Sequence, residues 1–139
     1  MEITANALQT VEANQNVIFT DTVVCGNCSI LHRGGSGLVT LRGITNQCRA
    51  RFRVTFGGNI ALPTGGTVGP ISLAIAVNGE PVATTTMIET PAAVEEFSNV
   101  CSAIFLDIPA GCCSQISVRN TSSQAIDVQN ANLIVERVA

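Results

Sequence analysis

The side chains of this 139-residue chain that could do chemistry are six cysteines, one histidine, ten carboxylates and seven arginines; lysine, tryptophan and tyrosine are absent. Cys25-x-x-Cys28 has the spacing of half a zinc site, whose other half is a second C-x-x-C or a histidine pair. The other close pair in the chain is adjacent Cys112-Cys113. Neighbouring residues of a strand face opposite ways, so one ion does not collect both, and no metal site is expected. Cys25, Cys28, Cys112 and Cys113 are disulfide candidates in an oxidising setting; the alternative is reduced, buried thiols. Cys48 and Cys101 fall on apolar faces and read as core. The connectivity stays open.

Catalytic arrangements fail one by one. His32 stands in Leu31-His32-Arg33 with no acid or nucleophile at a recognised spacing. Gly34-Gly35-Ser36-Gly37 is not a nucleophile elbow, because position 38 is leucine. Gly65-Gly66-Thr67-Val68-Gly69 has no lysine to serve a phosphate loop. Glu95 and Glu96 would point to opposite sides of a strand and cannot form the facing pair of a glycosidase. No enzyme, catalytic residue or cofactor is expected. Asn27-Cys28-Ser29 and Asn120-Thr121-Ser122 match glycosylation sequons and are read as chance matches, since no secretory signal opens the chain.

The remaining polar constellation is Arg49, Arg51 and Arg53, alternate residues about 7 Å apart along one strand face. Three guanidiniums in a row repel unless carboxylates or an anion meet them. Cross-strand partners such as Glu89, Glu95 or Asp107 would make the stripe structural. An anion-lined contact between subunits would make it functional.

Composition narrows the class of protein. Charged residues are 12% of the chain against about 25% in a typical soluble domain, which is little charge to coat a monomer and points to an oligomer. A net charge of −3 argues against a general nucleic-acid binder. Without Trp or Tyr the usual platforms for sugars and stacked bases are missing. No apolar run approaches the ~20 residues of a membrane-spanning helix, and no membrane partner is expected.

The elements that must position these residues are strands. Gln47 to Gly57 alternates without a slip: Cys48, Ala50, Phe52, Val54 and Phe56 point one way, and Arg49, Arg51, Arg53 and Thr55 the other. Short strands are expected at 17–24, 29–33, 38–42, 60–62, 71–78, 82–90, 113–120, 125–129 and 132–138, with residues 1–16 as an arm or first strand and 17–139 as one domain. Ile71 to Asn78 carries large residues on one face and small ones on the other, inviting close approach by another layer or subunit. Residues 94–108 are apolar on both parities, Phe97, Cys101, Ala103 and Phe105 against Val100, Ile104, Leu106 and Ile108. Such a strand is expected to be buried on both faces, with Val100, Ile104, Leu106 and Ile108 in a subunit interface alongside the arginine stripe. Turns every 8 to 12 residues and no convincing helix describe an all-β antiparallel sandwich or barrel.

Three stretches resemble the C1q/TNF-like trimeric jelly roll, above all its bacterial and phage versions, which include the C-terminal domain of collagen-like spore-surface glycoproteins. They are Ala50 to Phe56 leading to a Gly-rich loop; Leu73 to Val82, with Asn78-Gly79 at a hairpin; and Phe97 to Gly111, ending Ile108-Pro109-Ala110-Gly111. The closing Ala131 to Glu136 stretch is similar to that family's last strand. The resemblance implies a TNF-like β-sandwich that forms a homotrimer. It departs from the family in lacking central tyrosines, and the chain has no Gly-X-Y repeat. The expectation is therefore a non-enzymatic structural protein decorating a phage capsid or fibre, part of the virion and made in the bacterial cytoplasm. The alternative is a trimeric adhesion or structural domain on a bacterial spore or cell surface.

Overall fold

A computed structural model describes residues 1–139 as two antiparallel sheets packed face to face. The chain runs β1 (Glu2–Ala5), β2 (Gln9–Val11), β3 (Asp21–Val24), β4 (Ile30–His32), β5 (Val39–Arg42), β6 (Arg49–Ala61), β7 (Ile71–Val77), β8 (Glu80–Pro81), a 3-10 turn (Ala83–Thr85), β9 (Met87–Glu89), β10 (Ser98–Pro109), β11 (Cys113–Asn120) and β12 (Ile126–Arg137). One sheet has the order β10-β6-β12-β1-β3, with β2 also on β12; the other is β4-β5-β11-β7-β8, with β9 also on β7. Residues 2–5 and 9–11 are thus strands of the first sheet, so the start of the chain is part of the sandwich.

The period-two pattern decides which residues fill the space between the sheets. Ala50, Phe52, Val54 and Phe56 of β6, Ile71, Leu73 and Ile75 of β7, Ile116 and Val118 of β11 and Leu133 and Val135 of β12 are all buried in one core cluster of 27 residues. Phe19 meets Phe56 edge to face at 6.5 Å, the favoured geometry for two ring quadrupoles. Closing this core is what brings the polar outer faces into their positions.

Several strand expectations change in detail. β6 runs straight through Gly57-Gly58-Asn59 to Ala61, because pairing with both β10 and β12 holds the glycines extended. Gly58 also lets the strands pack closely, since a Cβ there would lie 3.3 Å from the Ala131 Cα, a tight contact. The strand expected at 17–24 is formed only by Asp21–Val24; Val17 and Phe19 are buried, but their segment forms isolated bridges. The segment 82–90 breaks at the 3-10 turn, where buried Thr85 accepts from the Ile75 amide (2.9 Å) and so ties the turn to β7. β12 joins the two expected closing strands through a bulge between Gln129 and Asn132. The small face of β7 is covered within the monomer: Ala74 and Ala76 are buried, and Arg119, registered opposite Ala74, donates to the Gly79 carbonyl (2.6 Å) at the neighbouring hairpin.

Candidate functional site

The arginine stripe lies on the outer face of the first sheet, as the alternation demands. Strand pairing sets its surroundings row by row across β10, β6 and β12: Asp107 opposite Arg51; then Phe105, Arg53 and Glu136; then Ala103, Thr55 and Ile134; then Cys101, Gly57 and Asn132. Arg51 donates from Nε to Asp107 Oδ1 (2.8 Å) and from Nη2 to Oδ2 (3.1 Å), while Arg49 Nε lies 3.2 Å from Oδ2. Arg53 reaches Glu136 at 3.7 Å. The hydrogen bond from Arg51 holds the Asp107 carboxyl below its ordinary range, with burial opposing and the charges of Arg51 and Arg49 adding to the effect. Asp107 raises Arg51 in turn. Of the three carboxylates expected to meet the stripe, Asp107 does so; Glu95 instead accepts from Thr64 (2.5 Å), and Glu136, unforeseen, takes Arg53.

The parity expected for the β10 interface is reversed. Val100 and Ile108 are 9% and 2% exposed and belong to the core, and Ile104 and Leu106 pack against it from partly buried positions. These residues face the second sheet because β10 is paired in register with β6, whose even positions point inward. The outward set is Cys101, Ala103, Phe105 and Asp107, and Phe105 is 62% exposed. β10 is therefore not buried on both faces. It is the edge strand of its sheet, with its outer apolar side chains open and Ile134 of β12, 37% exposed, in the row beside them. The resulting surface carries Phe105 and Ala103 along β10 and Ile134 across Thr55 on β12, with the arginine-carboxylate pairs beside them.

The cysteines form the second feature. All six are unpaired and exposed, so Cys48 and Cys101 are not core and none of the thiols is buried. Cys101 misses the core because it shares the outward parity of Asp107, and Cys48 because it precedes the first paired residue of β6. Cys25 follows β3, Cys28 leads into β4, Cys48 precedes β6, and Cys112-Cys113 open β11. Antiparallel pairing places these five positions at one end of the sandwich. There the Ala110 amide donates to the Cys48 carbonyl (3.0 Å), the Gly43 amide to that of Cys112 (2.9 Å), and Arg42 to that of Cys28 (3.4 Å). The approach is close enough that a Cβ on Gly43 would collide with the Pro109 carbonyl oxygen. No group of three or more Cys, His, Asp or Glu side chains is arranged to hold a metal ion.

His32 carries no catalytic partner. Its Nε2–H donates to the Ser36 carbonyl (3.0 Å) and its buried Nδ1 has no hydrogen-bond partner. Of the two sequons, Asn120 is fully buried, its amide donating to the carbonyls of Val11 (3.0 Å) and Gln124 (2.9 Å). It is closed to glycosylation in the folded chain.

No protein-family model matches the sequence, and no curated protein matches it. Among solved structures, the fold is similar to the globular domain of the zebrafish complement 1qA protein, with 12% identity, 96% of this chain and 93% of that one covered, and a TM-score of 0.63. It is also similar to murine APRIL, with 10% identity, coverage of 95% and 96%, and a TM-score of 0.60. The two-sheet order, the inward alternation and these overlaps along nearly the whole chain agree: this protein has the C1q/TNF-like jelly-roll fold.

Proposed function

We propose that the chain is a non-enzymatic structural module that forms a homotrimer through the outer face of β10, β6 and β12 and decorates a larger particle, a phage capsid or fibre. The observation that carries the self-association is β10. A twelve-residue edge strand presents unpaired backbone groups together with Phe105, 62% exposed, and Ala103. A long apolar edge of this kind is a liability for a protein that stays monomeric. Exposed apolar side chains beside arginine-carboxylate pairs have the makings of a protein interface, and a chain with only 12% charged residues favours burial in an assembly.

The experiment is sedimentation of the purified protein at micromolar concentration under reducing conditions. A species of about 43 kDa, three times the 14.4 kDa chain, is expected; a stable monomer overturns the reading. The particle is tested through gene neighbours. Capsid and portal genes are expected beside this one, whereas collagen-repeat or sporulation genes would move the trimer to a bacterial spore or cell surface.

A further inference from the structure

Free cysteine is among the most buried residue types, packing as a small apolar side chain. Here all six are exposed, so packing does not explain them, and five stand together at one end of the sandwich. Cys28 leads into β4 and Cys113 opens β11, the strands on either side of β5. Two strand spacings make about 9 to 10 Å, beyond the ~7 Å between Cα atoms over which a disulfide closes without backbone movement. A Cys28–Cys113 disulfide within one chain is therefore obstructed, while the exposed thiols of this end are open to another molecule.

The rest of this end suits a second copy. Val24, Ile44 and Val138 are exposed among the thiols, an apolar surface that complements itself. The guanidiniums already have partners: Arg49 and Arg51 hold Asp107, Arg42 donates to the Cys28 carbonyl, and Arg137 donates to Ser29 Oγ (3.3 Å) and the Ile44 carbonyl (2.5 Å). Their hydrogen-bonding capacity is thus already in use within the chain, so a second copy does not have to supply acceptors for them.

We infer that this end is a covalent contact between two copies of the chain, closed by interchain disulfides drawn from Cys25, Cys28, Cys48, Cys112 and Cys113. The oxidant is a small organic disulfide such as glutathione disulfide. A thiolate of one copy attacks it, forming a mixed disulfide and releasing one glutathione thiolate. A thiolate of the second copy then attacks the protein sulfur of that mixed disulfide and releases the other. Two protein thiols are oxidised, one glutathione disulfide is reduced to two thiols, and one interchain S–S bond forms. This contact uses the end of the sandwich and is independent of the outer-face trimer.

The test is oxidation of the reduced, folded protein with glutathione disulfide, read on non-reducing denaturing gels and by mass spectrometry of cross-linked peptides. Disulfide-linked dimers of about 29 kDa, twice 14.4 kDa, are expected, reversed by reductant and formed equally by Cys101→Ser. The variant with serine at all five end positions should give at least fivefold less dimer, with a thermal midpoint checked for folding. If that variant does not fold, the wild-type peptide map decides, and cross-links between the five positions are required. Protein that stays at the monomer mass with glutathione adducts or intrachain disulfides only, or dimers linked solely through Cys101, would overturn the inference. Mass under native reducing conditions reads the outer-face trimer separately, so each contact can fail alone.

Discussion

Asp107 is the one carboxylate of β10, and two guanidiniums converge on it. Its depressed pKa sets the direction of a pH effect. A carboxyl held low in the folded state contributes stability above its unfolded value, ordinarily about pH 4, and loses that contribution as pH falls through the lower folded value. Thermal unfolding of Asp107→Asn should therefore begin below the wild type at pH 7, with the difference shrinking as pH falls below the ordinary carboxylate range. A difference that does not change with pH would assign the loss to packing instead. Asn120 is the contrasting polar residue, buried and wholly satisfied: besides its two donated bonds, it accepts from the Ser122 amide (3.0 Å). Asn120→Ala strands those groups and should cost about 1–3 kcal/mol in urea unfolding.

At the scale of the strand, β10 shows what pairing adds to alternation. Its two apolar sets are nearly equal by composition, yet Asp107 shares the parity of Cys101, Ala103 and Phe105 and sits opposite Arg51. A lone carboxylate on an apolar strand marks the face that does not enter a core, and that signal was available in the sequence to assign the parity. The two faces answer to different measurements. Ile108→Ala removes core packing and should destabilise the fold by about 2–5 kcal/mol. Phe105→Asp should leave the monomer's unfolding midpoint nearly unchanged while converting the trimer to monomers in sedimentation. Arg51→Ala belongs with the second, weakening assembly more than folding. At the end of β5 the constraint is steric: Gly43→Ala drives a methyl against the Pro109 carbonyl and should cost about 2 kcal/mol or more in unfolding.

For the whole molecule, the two-sheet architecture was legible because a sandwich needs only period-two burial, and β6 keeps that period along nearly its whole length. The arginine stripe was legible for the same reason. The outer-face centre was not, because Ala103 and Ile134 lie 31 positions apart and fall in one row, on either side of Thr55, only when β10 and β12 both pair with β6. Nor was the cysteine end, since residues at 25, 28, 48, 112 and 113 come together through four strand ends and the Gly43–Pro109 approach. Alternation and turn residues were thus determined locally by the sequence itself. Which side chains of neighbouring strands share the outer face, and which thiols share an end, depended on long-range register, because pairing energy is shared between strands and no single strand records it.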